Sequence, residues 1–207
     1  MIRVWVDGLC EPVNPGGVAC WGLVIRGKQK VMGCGVVGSG PGVSNNVAEY
    51  AALVKALETL VAMRWTDDEI VVYSDSQLLV NQMSGRWQAR GGMYYAKYLE
   101  AKELVKQFSQ IRFEWIPREQ NEEADALSRK AYETFCEATG VPIRYMQPRK
   151  RASKSIAECC LTCRWAKFRG PHIGCYYGGK WRKWIPKRFA RSNKCERYEA
   201  TGETQTQ

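Results

Sequence analysis

The chain has 207 residues and a formal net charge of +10, with 45% hydrophobic and 25% charged residues. That length holds one good core plus a small second unit, and the composition is that of a soluble globular protein. No apolar run nears the ~20 residues that span a bilayer, and MIRVWVDG alternates like a strand rather than forming a signal peptide; a cytoplasmic setting with no membrane partner is expected.

From the N-terminus, IRVWV alternates as a strand closing at Asp7-Gly8, and the turn-forming CEPVNPGG follows. ACWGLVIRG and QKVMGCGVVG are two more strands, separated by a Gly-Lys turn. The glycine-rich GSGPGVSNN leads into VAEYAALVKALETLVAMRW, where Val47, Tyr50, Ala51, Val54, Leu57 and Val61 share one helical face. Asn45 or Asn46 is the natural cap of that helix. EIVVYSD predicts a fourth strand, SQLLVNQMSG and YYAKYLEAKELVKQF two helices, IRFEWIP a fifth strand and NEEADALSRKAYETF a last helix. The order β-β-β-α-β-α-α-β-α predicts an α/β fold, a five-stranded mixed sheet with helices on both faces.

Around VPIRYMQPRKRASKS the chain turns basic and proline-bearing. This divides it into a first domain over 1–137, a basic linker over 138–156, a cysteine-rich basic domain over 157–201 and a tail over 202–207. From Arg149 onward there are 15 Lys+Arg against 4 Asp+Glu, whereas residues 1–148 carry 16 against 17. A near-neutral domain is thus joined to a strongly basic one, which points to a polyanionic partner.

Four carboxylates recur at element ends: Asp7 closes the first strand, Glu49 falls in the first turn of the long helix, Asp75 closes the fourth strand and Asp125 lies early in the last helix. Singly, each has a plain explanation in the helix macrodipole or in a strand-to-turn corner. Asp75, one residue past the apolar IVVY, is either a helix cap or a cation ligand, because an uncompensated charge beside a core is costly. Ligands of α/β sheets gather at the carboxyl ends of strands, where four such acids would repel one another. Divalent cations relieve that repulsion. Oxygen ligands without His or Cys suit Mg²⁺ or Mn²⁺, and two such ions can activate water and stabilise the leaving oxygen of a phosphodiester.

DG…NPGG, SNNVAEYAAL, VYSDSQLLVNQ and IPREQNEEADALS resemble, in order and spacing, a type 1 ribonuclease H over residues 1–137. The resemblance implies hydrolysis of the RNA strand of RNA–DNA hybrids by two Mg²⁺ ions (or Mn²⁺), leaving 5′-phosphate and 3′-hydroxyl ends; a monomer is expected. It also implies that Asp7, Glu49, Asp75 and Asp125 are the metal ligands, that Asp7 bridges both ions, and that Glu49 senses the ribose 2′-OH. Asn14, Ser44, Asn45, Asn46 and Gln77 match the family's contacts to minor-groove and backbone atoms, with Ser44 at a phosphate pocket. Asn14 and Asn45-Asn46 read equally as turn and cap residues.

The match has two departures. Many members of that family carry a histidine in the loop before the last carboxylate, yet the sole histidine here is His172. Arg118 is the nearest substitute, as in some archaeal-like members. It stays protonated, so it is no general base; it either stabilises developing charge, helps product leave, or merely pairs with Glu122. The basic handle between two helices that some members use to grip hybrid is also missing, and GRWQARGGMYY offers only Arg86, Trp87 and Arg90, a small basic-aromatic patch or ordinary surface.

Cys10, Cys20, Cys34 and Cys136 are scattered, and are expected to be reduced and inert. Cys160, Cys163, Cys175 and Cys195 form a C-x-x-C pair with two distant partners, a tetrahedral metal set in which Cys159 is spare and His172 an alternate ligand. The metal is zinc or a four-iron four-sulfur cluster, with disulfides as the alternative; a ~40-residue unit needs such a staple. Arg164, Lys167, Arg169, Lys180, Arg182, Lys183, Lys187, Arg188 and Arg191 are interleaved with Trp and Tyr, the pattern of a nucleic-acid-binding surface that replaces the handle. Two other readings stay open: a non-catalytic binding protein on the same scaffold, and a redox-regulated one.

Overall fold

The computed structural model describes residues 1–145 and the backbone of three short strands, 166–169, 172–175 and 184–186. The chain divides into two compact units, Met1–Met146 and Gln147–Gln207. In the first, β1 (Ile2–Glu11), β2 (Val18–Arg26) and β3 (Lys30–Ser39) precede α1 (Asn45–Ala62), β4 (Glu69–Ser74), α2 (Gln77–Met83), α3 (Tyr95–Val105), β5 (Gln110–Trp115) and α4 (Glu122–Thr139). The sheet order is β3-β2-β1-β4-β5. β1 and β2, and β2 and β3, pair antiparallel, while β4 runs parallel to both β1 and β5. The predicted mixed sheet is therefore present.

Alternation along the strands sorts two cores onto the two faces of the sheet. Ile2, Val4, Val6, Leu23, Ile25, Ile70, Val72 and Phe113 pack with buried residues of α1 and α2. On the other face, Val18 and Cys20 pack against Ala131, Tyr132 and Cys136 of α4. Burial of α1 extends beyond the one expected face: Ala52, Leu53, Ala56 and Leu60 are buried too, whereas Val61 is half-buried. The cause is that α1 lies between the sheet and α3 and touches both. Each fully buried large side chain there contributes roughly 2 kcal/mol of hydrophobic stabilisation.

Three local expectations are corrected. β1 does not close at Asp7, because its antiparallel pairing with β2 continues to Glu11↔Val18. Its parallel pairing with β4 stops at Trp5↔Tyr73, so Asp7 sits within β1 but just beyond the part shared with β4. Ser44, rather than Asn45 or Asn46, caps α1: its backbone is extended and its Oγ accepts from Val47 N–H at 3.4 Å. Starting the helix there moves Glu49 out of the first turn, which holds no acid.

After α4 closes on Gly140 in the left-handed conformation (φ 70°), residues up to Tyr145 fold back, and Tyr132 O–H donates to the Arg144 carbonyl at 2.7 Å. In the second unit, β6 (Ala166–Arg169), β7 (His172–Cys175) and β8 (Trp184–Pro186) form an antiparallel sheet in that order. Cys175 ends β7 opposite Ala166. The side chains of Cys175 and His172, and Cys159, Cys160, Cys163 and Cys195 altogether, lie outside the described residues, as do the basic side chains of the tail. Among the described residues no helix is long and apolar enough to cross a membrane.

Candidate metal-binding active site

Where the pairing of β1 and β4 ends, their backbones diverge and the Asp7 and Asp75 side chains stand close together. Glu49 joins them because position 8 is glycine. A Cβ there would lie 2.2 Å from Glu49 N and 2.3 Å from the Ala48 carbonyl carbon, so only a residue without one lets α1 rest directly on β1. One carboxylate oxygen from each of Asp7, Glu49 and Asp75 lies within 4.8 Å of the others.

Asp75 is not a cap. Ser76 caps α2, accepting from Leu79 N–H at 3.4 Å. The Asp75 carbonyl accepts from the Trp115 indole N–H at 3.0 Å. Its carboxylate accepts at 3.2 Å from the Asn121 amide, which also donates to the Val6 carbonyl at 3.0 Å. Buried Asn121 thereby ties together β1, β4 and the start of α4. On the other side, Gly22 lets α4 approach β2, since a Cβ there would lie 2.3 Å from the Ala124 carbonyl oxygen. That approach brings the Ser128 hydroxyl to Asp7 Oδ2, to which it donates, and to within 2.9 Å of the Asp125 carbonyl.

These acids are strained electrostatically. Asp7, only 5% exposed, has its pKa pushed up to about 6, first by burial and then by the charges of Asp75 and Asp125, against the lowering hydrogen bond from Ser128. Glu49 is driven well above the ordinary carboxylate range, again by burial first and then by Asp7 and Asp75. Its Oε2 is sealed from solvent and has no hydrogen-bond partner. A buried, partnerless carboxylate oxygen beside two further carboxylates is the donor set a hard divalent cation fits. Mg²⁺ or Mn²⁺ suits Asp7, Glu49 and Asp75.

Asp125 stands differently. Arg118 donates to its Oδ1 at 2.5 Å and Arg129 to its Oδ2 at 2.6 Å. Burial alone would raise its pKa, but the two arginines outweigh that and hold it low. The ion pair of Arg118 is thus with Asp125, not with Glu122.

Of the expected substrate contacts, Asn14 is occupied at the start of α1, where its Oδ1 accepts from Asn45 N–H at 3.0 Å. Ser44 is buried and capping, Asn46 is half-buried, Gln77 is exposed at the start of α2, and Asn45 Oδ1 is sealed without a partner. Arg86 lies 3.4 Å from Asn81 Oδ1, and Trp87 is half exposed on the loop between α2 and α3. Sequence reasoning missed the work of Gly8, Asn121 and Ser128. One signal was available: Ser128 follows Asp125 by three residues and so shares its helical face.

The mixed α/β sheet carries its carboxylate cluster at the switch from antiparallel to parallel pairing, where three acids could hold a divalent cation. Residues 6–131 match the Reverse transcriptase-like family, and the chain belongs to it. It is 39% identical over 95 residues to the bifunctional protein Rv2228c of Mycobacterium tuberculosis, covering 46% of this chain and 26% of that protein. Because the match spans about a quarter of that relative, its whole activity does not transfer. Among solved structures, RNase H1 of Halobacterium salinarum superposes with a TM-score of 0.56 at 30% identity, covering 64% of this chain and 98% of that one. LC11-RNase H1, solved in complex with an RNA/DNA hybrid, reaches 0.59 at 30% identity, covering 65% and 99%. The first unit therefore has the ribonuclease H-like α/β fold.

Proposed function

We propose that the chain is a ribonuclease H, a metal-dependent hydrolase of the RNA strand of RNA–DNA hybrids that leaves 5′-phosphate and 3′-hydroxyl ends. The observation that carries this reading is the convergence of Asp7, Glu49 and Asp75 within 4.8 Å, with one Glu49 oxygen sealed and partnerless. The solved relative that holds an RNA/DNA hybrid supports the substrate class.

Asp7, Glu49 and Asp75 would hold one Mg²⁺, and Asp125, with Asp7 between them, would complete a second site. Bound there, such ions supply Lewis-acid activation of a water and stabilise charge on the departing ribose oxygen. The protein's own residues set the geometry. Gly8 seats Glu49, Asn121 fixes Asp75 against β1, and Ser128 aligns the Asp7 carboxylate. Hydrolysis breaks the P–O3′ bond; the attacking water's oxygen stays on phosphorus and the 3′-oxygen takes up a proton. Arg118, permanently charged and partly exposed beside Asp125, offsets the negative charge that grows on the phosphate. The basic tail is the proposed source of affinity in place of a handle.

The test is Mg²⁺-dependent cleavage of a labelled hybrid by the full chain and by Asp75→Asn. We expect cleavage by the wild type, and its loss with retained circular dichroism in the variant. Full activity of Asp75→Asn, or cleavage that persists in chelator, would sink the reading.

A further inference from the structure

Both oxygens of Asp125 are taken. Besides the contacts at 2.5 and 2.6 Å, a second Arg129 nitrogen lies 3.4 Å from Oδ1. The two arginines are not equally held. Arg118 rises from a short 3-10 turn (Arg118–Gln120) with its side chain 64% exposed. Arg129 is part of α4 and lies over the Tyr145 ring, its Cζ 5.5 Å from the centroid. Tyr145 is itself fixed: its O–H donates to Glu133 at 2.5 Å, and its ring meets that of Tyr132 edge-on at 5.6 Å. The segment following α4 thus braces Arg129 from behind while Arg129 grips Asp125.

Resting on the reading of Asp125 as a cation ligand, we propose that Arg129, braced by Tyr145, is a positioning residue that competes with the second divalent cation for the Asp125 carboxylate. A guanidinium fork that engages both oxygens satisfies the same lone pairs a metal ion needs. Asp125 is accordingly absent from the cluster that Asp7, Glu49 and Asp75 form. The cluster takes its cation first, and the second cation binds more weakly because it must displace the arginine. Tyr145 sets how weakly, since the aromatic face under a cation resists its departure.

The experiment is calorimetric titration of Mn²⁺ into the full chain without nucleic acid, for wild type, Arg129→Gln, Arg129→Lys and Tyr145→Leu. In the wild type the second cation is expected to be weak or below detection. In Arg129→Gln it should tighten by about tenfold, the loss of one charged hydrogen-bond pair, while the first cation is unchanged. Tyr145→Leu, which touches neither Asp125 nor the cluster, should shift the second cation in the same direction by less, and it carries the test if Arg129→Gln fails to fold. Arg129→Lys, charged but without the fork, should fall between wild type and Arg129→Gln. A second cation of wild-type affinity in folded Arg129→Gln, or in Tyr145→Leu, overturns the proposal. A wild type that binds no cation at all overturns the functional reading and the proposal with it, a result distinct from binding that the variants leave unchanged.

Discussion

Gly8 and Glu49 touch backbone to backbone: a Cβ added to Gly8 would fall 2.2 Å from the Glu49 amide nitrogen. That one contact sets how far α1 stands from β1, and so whether the Glu49 carboxylate reaches Asp7.

Gly8→Ala should therefore act on stability and cation binding together. Overpacking against backbone that cannot rotate away costs roughly 3 kcal/mol, read from urea denaturation. Mg²⁺-induced stabilisation should shrink in the same variant. A variant with normal stability and a normal Mg²⁺ response would show that α1 is not seated on this contact.

Asn121 makes two hydrogen bonds from a buried position, to Asp75 and to the Val6 carbonyl. Asn121→Ala is expected to lose about 2 kcal/mol. It should also lower Mn²⁺ affinity in calorimetry, because Asp75 then loses the amide that orients it. Loss of stability with unchanged affinity would restrict Asn121 to a purely structural role.

The pH dependence of stability follows from Asp7. Its pKa in the folded protein is raised from the ordinary 3.8 to about 6, so between those values the folded state binds more protons than the unfolded one. Without metal, stability should fall as pH rises through that window, by on the order of 3 kcal/mol. Glu49 is shifted in the same direction and adds to the decline. Thermal melts in chelator should show it, and Asp7→Asn should lessen it, leaving the part that burial of Glu49 contributes. Added Mg²⁺ should stabilise little near the acid end and progressively more above it, because protons compete with the cation.

The basic tail predicts a salt signature. A full chain whose tail neutralises even ~6 phosphates should lose hybrid affinity steeply between low and moderate salt, and a chain ending at Met146 should show a shallower slope and a higher KM. Equal slopes would remove the tail from substrate binding. Metal analysis of the intact chain would decide between zinc, iron with sulfide, and no metal at Cys160, Cys163, Cys175 and Cys195.

Period-two alternation in IRVWV, the continuous apolar run IVVY and the helical spacing from Val47 to Leu57 are local, and packing honours them because the same residues must leave water in any compact state. Hence the elements, their order and a mixed sheet with helices were legible, and so were the acids. Asp75 was recognisable as something other than an ordinary turn residue because it lies one residue past a buried apolar run. Less legible were details that depend on which neighbour competes for a group. Ser44 outcompetes Asn45 and Asn46 for the helix start, and Arg118 prefers Asp125 to Glu122.

The sequence by itself determined the strands, the helices, the charge asymmetry and the identity of the acids, since each is written in residues near one another along the chain. Only the tertiary structure decided that three of those acids share one small volume, that Asn121 and Ser128 hold two of them, and that the fourth is gripped by Arg118 and Arg129. Those facts depend on how closely α1 and α4 approach the sheet at Gly8 and Gly22, distances fixed by backbone sterics between segments remote in the chain.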